Sequence, residues 1–263
     1  MADRMGKLLE ILARKGYRSV PQLAEHLEVS EMTVRRYLSK LELQSLVKRT
    51  HGGAFAGQDM IEVDYRVRET VMRAEKEAIG RLAASLIQPG ESVFIDSGST
   101  AAFLAGAIDD TKRITVITNS TVVLQTLENK ENVETICIGG KVHKPSHSLV
   151  GVLAEDAVKQ FRFTKAFIGT NGVDLAYGFS QVNVEEVPVK KTVISNSQEV
   201  IVLADNSKFS RSVLMVFMRL EQAGTVISDW GLPAEHRQTL EEKGIHLIVA
   251  LPPSSRAVTR NDL

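Results

Sequence analysis

Ser92-Val93-Phe94-Ile95-Asp96-Ser97-Gly98-Ser99-Thr100 is the stretch on which the reading of the chain turns. Val93, Phe94 and Ile95 make a short apolar run of strand type, closed by Asp96. A turn of small and hydroxylic residues follows. Ala101-Ala102-Phe103-Leu104-Ala105 then begins a helical run. Strand, turn and helix start together build an anion cradle. The first N–H groups of a helix have no partner within it, and the helix dipole favours negative charge there. Gly98 lets the backbone approach an anion, and Ser97, Ser99 and Thr100 add hydroxyl donors. A helix cap would use the same residues, so the choice rests on the rest of the chain.

Downstream, apolar strands alternate with helical runs. Ile114–Thr118, Val133–Ile138, Ala166–Ile168, Val200–Leu203, Val226–Ser228 and Ile245–Ala250 read as strands. Helical patterns fall at Val122–Leu127, Leu153–Phe161, Val184–Asn196 and Ala234–Lys243. This order implies an α/β fold with a Rossmann-like, mostly parallel sheet covered by helices. Ligands of such sheets bind beyond the carboxyl ends of the strands. Polar residues collect there: Asp96–Thr100, then Thr118-Asn119-Ser120, Gly139-Gly140, Gly169–Asp174 and Asp205–Lys208. Capping explains one such turn more readily than several. Lys208 would bring positive charge to a phosphate, and Asp96 or Asp174 would accept sugar hydroxyl protons.

Upstream, Met5, Leu8, Leu9 and Leu12 share one helical face. Ser19-Val20-Pro21-Gln22 has the form of a capping box with proline in the tolerant first turn, and Val20, Leu23, Ala24 and Leu27 face inward. A third helix runs from Glu31 to Gln44, with Val34, Leu38 and Leu41 inward and Thr33, Arg36, Tyr37 and Lys40 outward, Arg35 beside them. Two short helices and a tight turn form a helix-turn-helix whose outer face suits a DNA major groove. Leu46–Ala54, with its Gly-Gly turn, reads as a β-hairpin wing, and Lys48, Arg49 and His51 would meet phosphates.

Charge agrees with this division. The 263 residues sum to zero net charge. Residues 1–58 nevertheless hold 10 Lys/Arg against 6 Asp/Glu, and the remainder 22 against 26. A basic segment on an acidic body suits a nucleic-acid module attached to something else. No apolar run reaches the roughly 20 residues of a membrane span, and the first residues lack a secretory apolar region. The single cysteine, Cys137, sits in an apolar run and is expected to be buried. A cytoplasmic protein without membrane association is expected. His143 and His147 lack partners at ligand spacing, so no metal and no cofactor are expected.

Residues 5–55 resemble the winged helix of the DeoR family of bacterial transcription regulators. The likeness lies in Val20–Ala24, in Val29-Ser30-Glu31-Met32-Thr33-Val34-Arg35-Arg36, and in Arg49-Thr50-His51-Gly52-Gly53-Ala54. Tyr37 stands where that family usually has aspartate. The likeness continues through Asp96–Thr100, Thr118–Ser120, Gly139-Gly140, Phe167–Asp174, Glu186–Lys190 and Ala204–Phe209, the pattern of the family's sensor, itself similar to ribose-5-phosphate isomerase. The resemblance implies a DNA-binding domain over 1–57, a linker over 58–74 and a sugar-phosphate sensor over 75–263. It also implies a homo-oligomer, dimer or tetramer, on a double-stranded operator, most often a repressor of sugar-metabolism genes that a phosphorylated sugar releases.

On that basis the expected DNA contacts are Ser30, Thr33, Arg35, Arg36, Tyr37, Lys40, Lys48, Arg49 and His51. The expected effector contacts are Asp96, Ser97, Gly98, Ser99, Thr100, Thr118, Asn119, Ser120, Gly140, Asp174, Glu186, Lys190 and Lys208. Two alternatives stand beside this: an isomerase-like enzyme fused to a DNA-binding domain, and a DNA-binding protein whose second domain only oligomerises. Isomerases of this type carry an acidic pair where this chain has Gly169-Thr170-Asn171-Gly172, which argues against proton-transfer catalysis.

Overall fold

The computed structural model describes residues 2–15, 18–43, 47–49, 52–56 and 62–253. The chain opens with α1 (Ala2–Lys15), a two-residue strand β1 (Arg18–Ser19), α2 (Val20–Leu27) and α3 (Glu31–Leu43). The Ser19 hydroxyl accepts from the Gln22 N–H, and the Gln22 side chain accepts from the Ser19 N–H, completing the capping box. Glu28 ends α2 in the left-handed region at φ 52°, which makes the tight turn into α3. The wing is β2 (Val47–Arg49) against β3 (Gly53–Ala56), and β1 adds a third strand that the sequence pattern does not reveal. Leu8, Leu12, Leu23, Val34, Leu38 and Leu41 fill the core of this unit.

The stretch expected to be a plain linker contains a helix, α4 (Tyr65–Thr70), capped by the Asp64 side chain. After it come α5 (Arg73–Ser85), β4 (Ser92–Ile95), α6 (Ser99–Ala107), β5 (Ile114–Thr118), α7 (Thr121–Leu127) and β6 (Val133–Cys137). A hairpin follows, β7 (Lys141–His143) and β8 (Ser148–Val150), then α8 (Val152–Val158) and β9 (Phe163–Gly169). The chain continues as β10 (Gly172–Asp174), β11 (Gly178–Gln181), α9 (Val187–Ser195), β12 (Ser197–Leu203), β13 (Met215–Met218), β14 (Thr225–Asp229), α10 (Ala234–Glu242) and β15 (His246–Ala250). Cys137, expected inside, is half-buried at the end of β6.

Seven strands form one parallel sheet in the order β15-β14-β12-β9-β4-β5-β6. Alternation along each strand sends side chains to opposite faces. Phe94 joins Phe163, Ile168, Val189 and Val202 in one core, whereas Val93 and Ile95 join Ile79, Leu104, Phe167 and Ile201 in the other. From β4 the chain moves outward through β5 and β6, returns to β9, and moves outward the other way. The β4/β9 boundary is therefore the topological switch point, where a crevice opens beyond the strand ends. A small antiparallel sheet, β10-β11-β13, stands beside the main one. Among the described residues no helix is long and apolar enough to cross a membrane.

Candidate functional site

The outer face of α3 carries Met32, Arg35, Arg36 and Lys40, all exposed. Ser30 caps the helix, accepting from the Thr33 N–H at 3.3 Å, and its hydroxyl meets that of Thr33 at 3.0 Å. Arg35 leans back one turn onto Glu31, at 3.2 Å with both side chains half exposed. Such a pair contributes little in water, so Arg35 can exchange it for a phosphate or a guanine edge. Arg49 is turned onto α3 instead: its guanidinium donates to the Ser39 hydroxyl at 2.7 Å and lies 3.6 Å from Glu42. It braces the wing against the recognition helix. Lys48 lies beside it on β2, and His51 falls outside the described residues.

Tyr37 departs from the expectation of an outward, DNA-facing residue. It is 4% exposed and packs in the winged-helix core with Val34, Leu38 and Leu41. The spacing explains this: position 37 follows Val34 by three residues and so shares its face. Arg36 lies over the Tyr37 ring, 5.9 Å from its centroid, so the ring supports an exposed cation.

The second site is a cavity at the switch point. Ser97, Gly98, Ser99, Thr100 and Ala101 form one wall, the turn after β9 (Gly169, Thr170, Asn171) another. Gly98 sits at φ 122°, ψ 165°, a conformation open in practice only to glycine. Among the described residues no side chain caps α6, which leaves its first N–H groups to face whatever fills the crevice. Arg68, Lys76, Lys208 and Lys190 bring cations to the lining, and Asp205, Glu186 and Gln181 complete it.

Behind the cradle, Lys190 and Asp96 form an ion pair at 2% and 1% side-chain exposure. The Lys190 ammonium also donates to the Gly169 carbonyl at 2.9 Å, and the same Asp96 oxygen accepts from the Gly169 N–H at 2.9 Å. The pair thus ties the ends of β4 and β9 together and shapes the crevice. Glu186 is engaged on both oxygens, by Ser146 at 2.6 Å and Ser148 at 2.9 Å on one and by the Gln181 amide on the other. The Gln181 side-chain oxygen is buried with no partner among the described residues. An unsatisfied buried acceptor is costly, and a ligand hydroxyl would satisfy it.

Burial pushes the Lys76 ammonium from its ordinary 10.5 down to about 7, against the pull of Asp205, with Lys208 and Arg68 adding to the fall. Burial lowers Lys208 as well, opposed by Asp205. Burial would raise Asp205, but Lys208, Lys76 and two bonds from Ser207 outweigh it and the carboxyl lies below its usual value. Two buried lysines and Arg68 thus gather around one carboxylate, Asp205, a site short of negative charge.

Several expected effector residues lie elsewhere. The Thr118 hydroxyl donates to the Ile95 carbonyl at 2.6 Å, Ser120 caps α7, and Asp174 holds the turn of the β10–β11 hairpin through the N–H groups of Ala176 and Tyr177. Gly140, at φ 143°, packs against Val150 and Ala154. Asn119 is fully buried, both its side-chain amide atoms have no partner among the described residues, and it lies outside the cavity wall. Thr118, Ser120 and Asp174 thus serve the backbone first. Conversely, sequence reasoning did not select Met32, Arg68, Lys76 or Gln181. Lys76 had a signal: it precedes Ile79 by three residues and Gly80 by four, on the face that α5 buries.

A winged helix followed by a parallel α/β sheet with an anion cradle at its switch point defines a two-domain, DNA-binding transcriptional regulator. Residues 4–58 match the DeoR-like helix-turn-helix domain, and residues 71–230 match the DeoR C terminal sensor domain. The uncharacterized HTH-type transcriptional regulator YulB of Bacillus subtilis (strain 168) is 33% identical over 257 residues, covering 97% of this chain and 99% of its own. The glycerol-3-phosphate regulon repressor of Escherichia coli (strain K12) is 31% identical over 245 residues, covering 93% and 97%. This chain belongs to the DeoR family. A ribose 5-phosphate isomerase A from Methanocaldococcus jannaschii overlaps 51% of this chain and 53% of its own at 18% identity and a TM-score of 0.38, a likeness too slight to argue from.

Proposed function

We propose that the protein is a cytoplasmic repressor whose hold on its operator is released by a phosphorylated sugar or small polyol seated at the switch point. The observation that carries this reading is the uncapped start of α6 facing Lys208, Lys76 and Arg68. Phosphate would lie on the N–H groups of Ser99–Ala101, and hydroxyls would meet Gln181 and Asn171. A relative that represses a glycerol-3-phosphate regulon supports the ligand class. One winged helix makes few DNA contacts, so a homo-oligomer on paired half-sites is proposed as the binding species.

Glu186 lines the cavity, but both its oxygens already accept hydrogen bonds, which favours ligand positioning over proton transfer to a substrate. The test is a thermal-shift panel of sugar phosphates against their unphosphorylated counterparts, since a ligand of the native state raises apparent stability. A phosphorylated compound should raise the melting temperature, and Ser99→Ala or Lys208→Ala should reduce that rise. Equal shifts with unphosphorylated sugars, or rapid turnover of a panel member, would refute the reading.

A further inference from the structure

Arg68 does not belong to the domain whose cavity it lines. It projects from α4, the helix between the two domains, and Val67 and Val71 beside it pack against the hydrophobic core of the winged helix. Thr70 faces α1 so closely that a Cβ at Gly6 would lie 3.3 Å from its hydroxyl. One short segment therefore presents apolar residues to the DNA-binding unit and a guanidinium to the crevice. Two Arg68 nitrogens, Nε and one Nη, are buried and have no hydrogen-bond partner among the described residues. A guanidinium has no use for an empty polar site, and its planar fork matches the oxygens of a phosphate.

Lys76 adds a second tie. Its ammonium donates to the carbonyls of Arg68 and of Val71, at 2.7 Å for the latter, and so clasps the carboxyl end of α4 from within the sensor. Tyr65, at the other end of α4, donates its N–H to the Pro145 carbonyl at 2.7 Å. The helix is thus held to the sensor at both ends, and its Arg68 guanidinium lines the cavity.

We propose that Arg68 is a ligand for the effector's phosphate and that α4 is the element through which occupancy of the cradle reaches the DNA-binding domain. An anion on the α6 N-terminus draws the guanidinium toward it. Because Val67 and Val71 are packed on the winged-helix core, α4 cannot shift without moving that contact. The inference rests on the reading that the cradle holds a phosphorylated effector.

The test uses the full-length protein with two probes, inorganic phosphate and the sugar phosphate giving the largest thermal shift. Calorimetric affinities are measured for the wild type, Lys208→Ala, Arg68→Met and Arg68→Lys. Hydrogen exchange is followed over residues 2–15 and 65–71 with and without saturating probe. Arg68→Met should melt no lower than the wild type, bind both probes at least tenfold more weakly, and lose the probe-induced change in exchange over residues 2–15. Arg68→Lys should bind with intermediate affinity. If Lys208→Ala weakens binding but Arg68→Met does not, the inference fails and the cradle stands. If Arg68→Met weakens binding while exchange over residues 2–15 in the wild type is indifferent to either probe, the coupling role fails. If the wild type binds neither probe, the cradle reading fails and this inference with it.

Discussion

Lys76 combines two demands that conflict in water-excluded surroundings. Its position on the inner face of α5 buries it, and its ammonium ties down α4. The consequence is a pKa of about 7, set by burial against Asp205 and reinforced by Lys208 and Arg68, with Glu75 opposing the fall. Below pH 7 the folded and unfolded chains both carry the proton. Between about 7 and the unfolded value of 10.5 only the unfolded chain does, so stability rises with pH across that window. Tyr65 acts in the opposite sense above pH 10, because burial raises its phenol to about 12. The difference in urea stability between wild type and Lys76→Met removes the Tyr65 contribution. That difference should move in favour of the wild type by at most about 1.4 kcal/mol per pH unit between pH 7 and 9.5. A flat difference would show that Lys76 stays charged. An effector anion would pull the same pKa back up, so its binding should consume a proton near neutral pH.

Two helices illustrate what elements add to residues. In α3, Arg36 and Lys40 stand outward on a helix whose inner face is fully committed to the core. Lys40→Ala should therefore weaken DNA binding without changing the melting temperature, and Arg36→Ala should weaken it with at most a small drop from the lost contact to Tyr37. If the lost contact is to phosphate, the slope of log affinity against log salt falls by about 0.9; unchanged affinity and slope would remove α3 from the interface. In α5, Gly80 lets α6 approach so closely that an added Cβ would lie 2.7 Å from the Leu104 nitrogen. Alanine improves helix propensity by about 1 kcal/mol, but overpacking against rigid backbone costs about 1–3 kcal/mol. The clash should win, and Gly80→Ala should lower the urea midpoint.

Long parallel strands and their helices could be read in the sequence because buried β-branched runs such as Val200–Leu203 alternate with helical spacing. The short strands β7, β8, β10, β11 and β13 could not, since three or four residues carry no period, and β13 pairs with β11 more than 30 residues away. Within the site, the cradle after β4 was visible as a strand–turn–helix signature. Arg68 was not, because its role depends on α4 folding back over a crevice whose other walls lie up to 140 residues away. Tyr37 was legible in principle, since it follows Val34 by three residues and shares its buried face.

At the scale of the whole molecule, the winged helix and the crevice communicate through one short helix, held by Lys76 on one side and by the winged-helix core on the other. A coupling of about 1–3 kcal/mol between the sites suffices to change DNA affinity by 5- to 150-fold. The direct measurement is fluorescence anisotropy of the full-length protein on a DNA site that the protein itself selects from a random pool. It is titrated with and without the sugar phosphate that gives the largest thermal shift. The expected result is a loss of affinity of at least fivefold in the wild type, with no such loss for Lys208→Ala, whose affinity without effector matches the wild type. Equal affinity with and without a sugar phosphate shown to be bound would contradict control of the DNA-binding domain by the cradle.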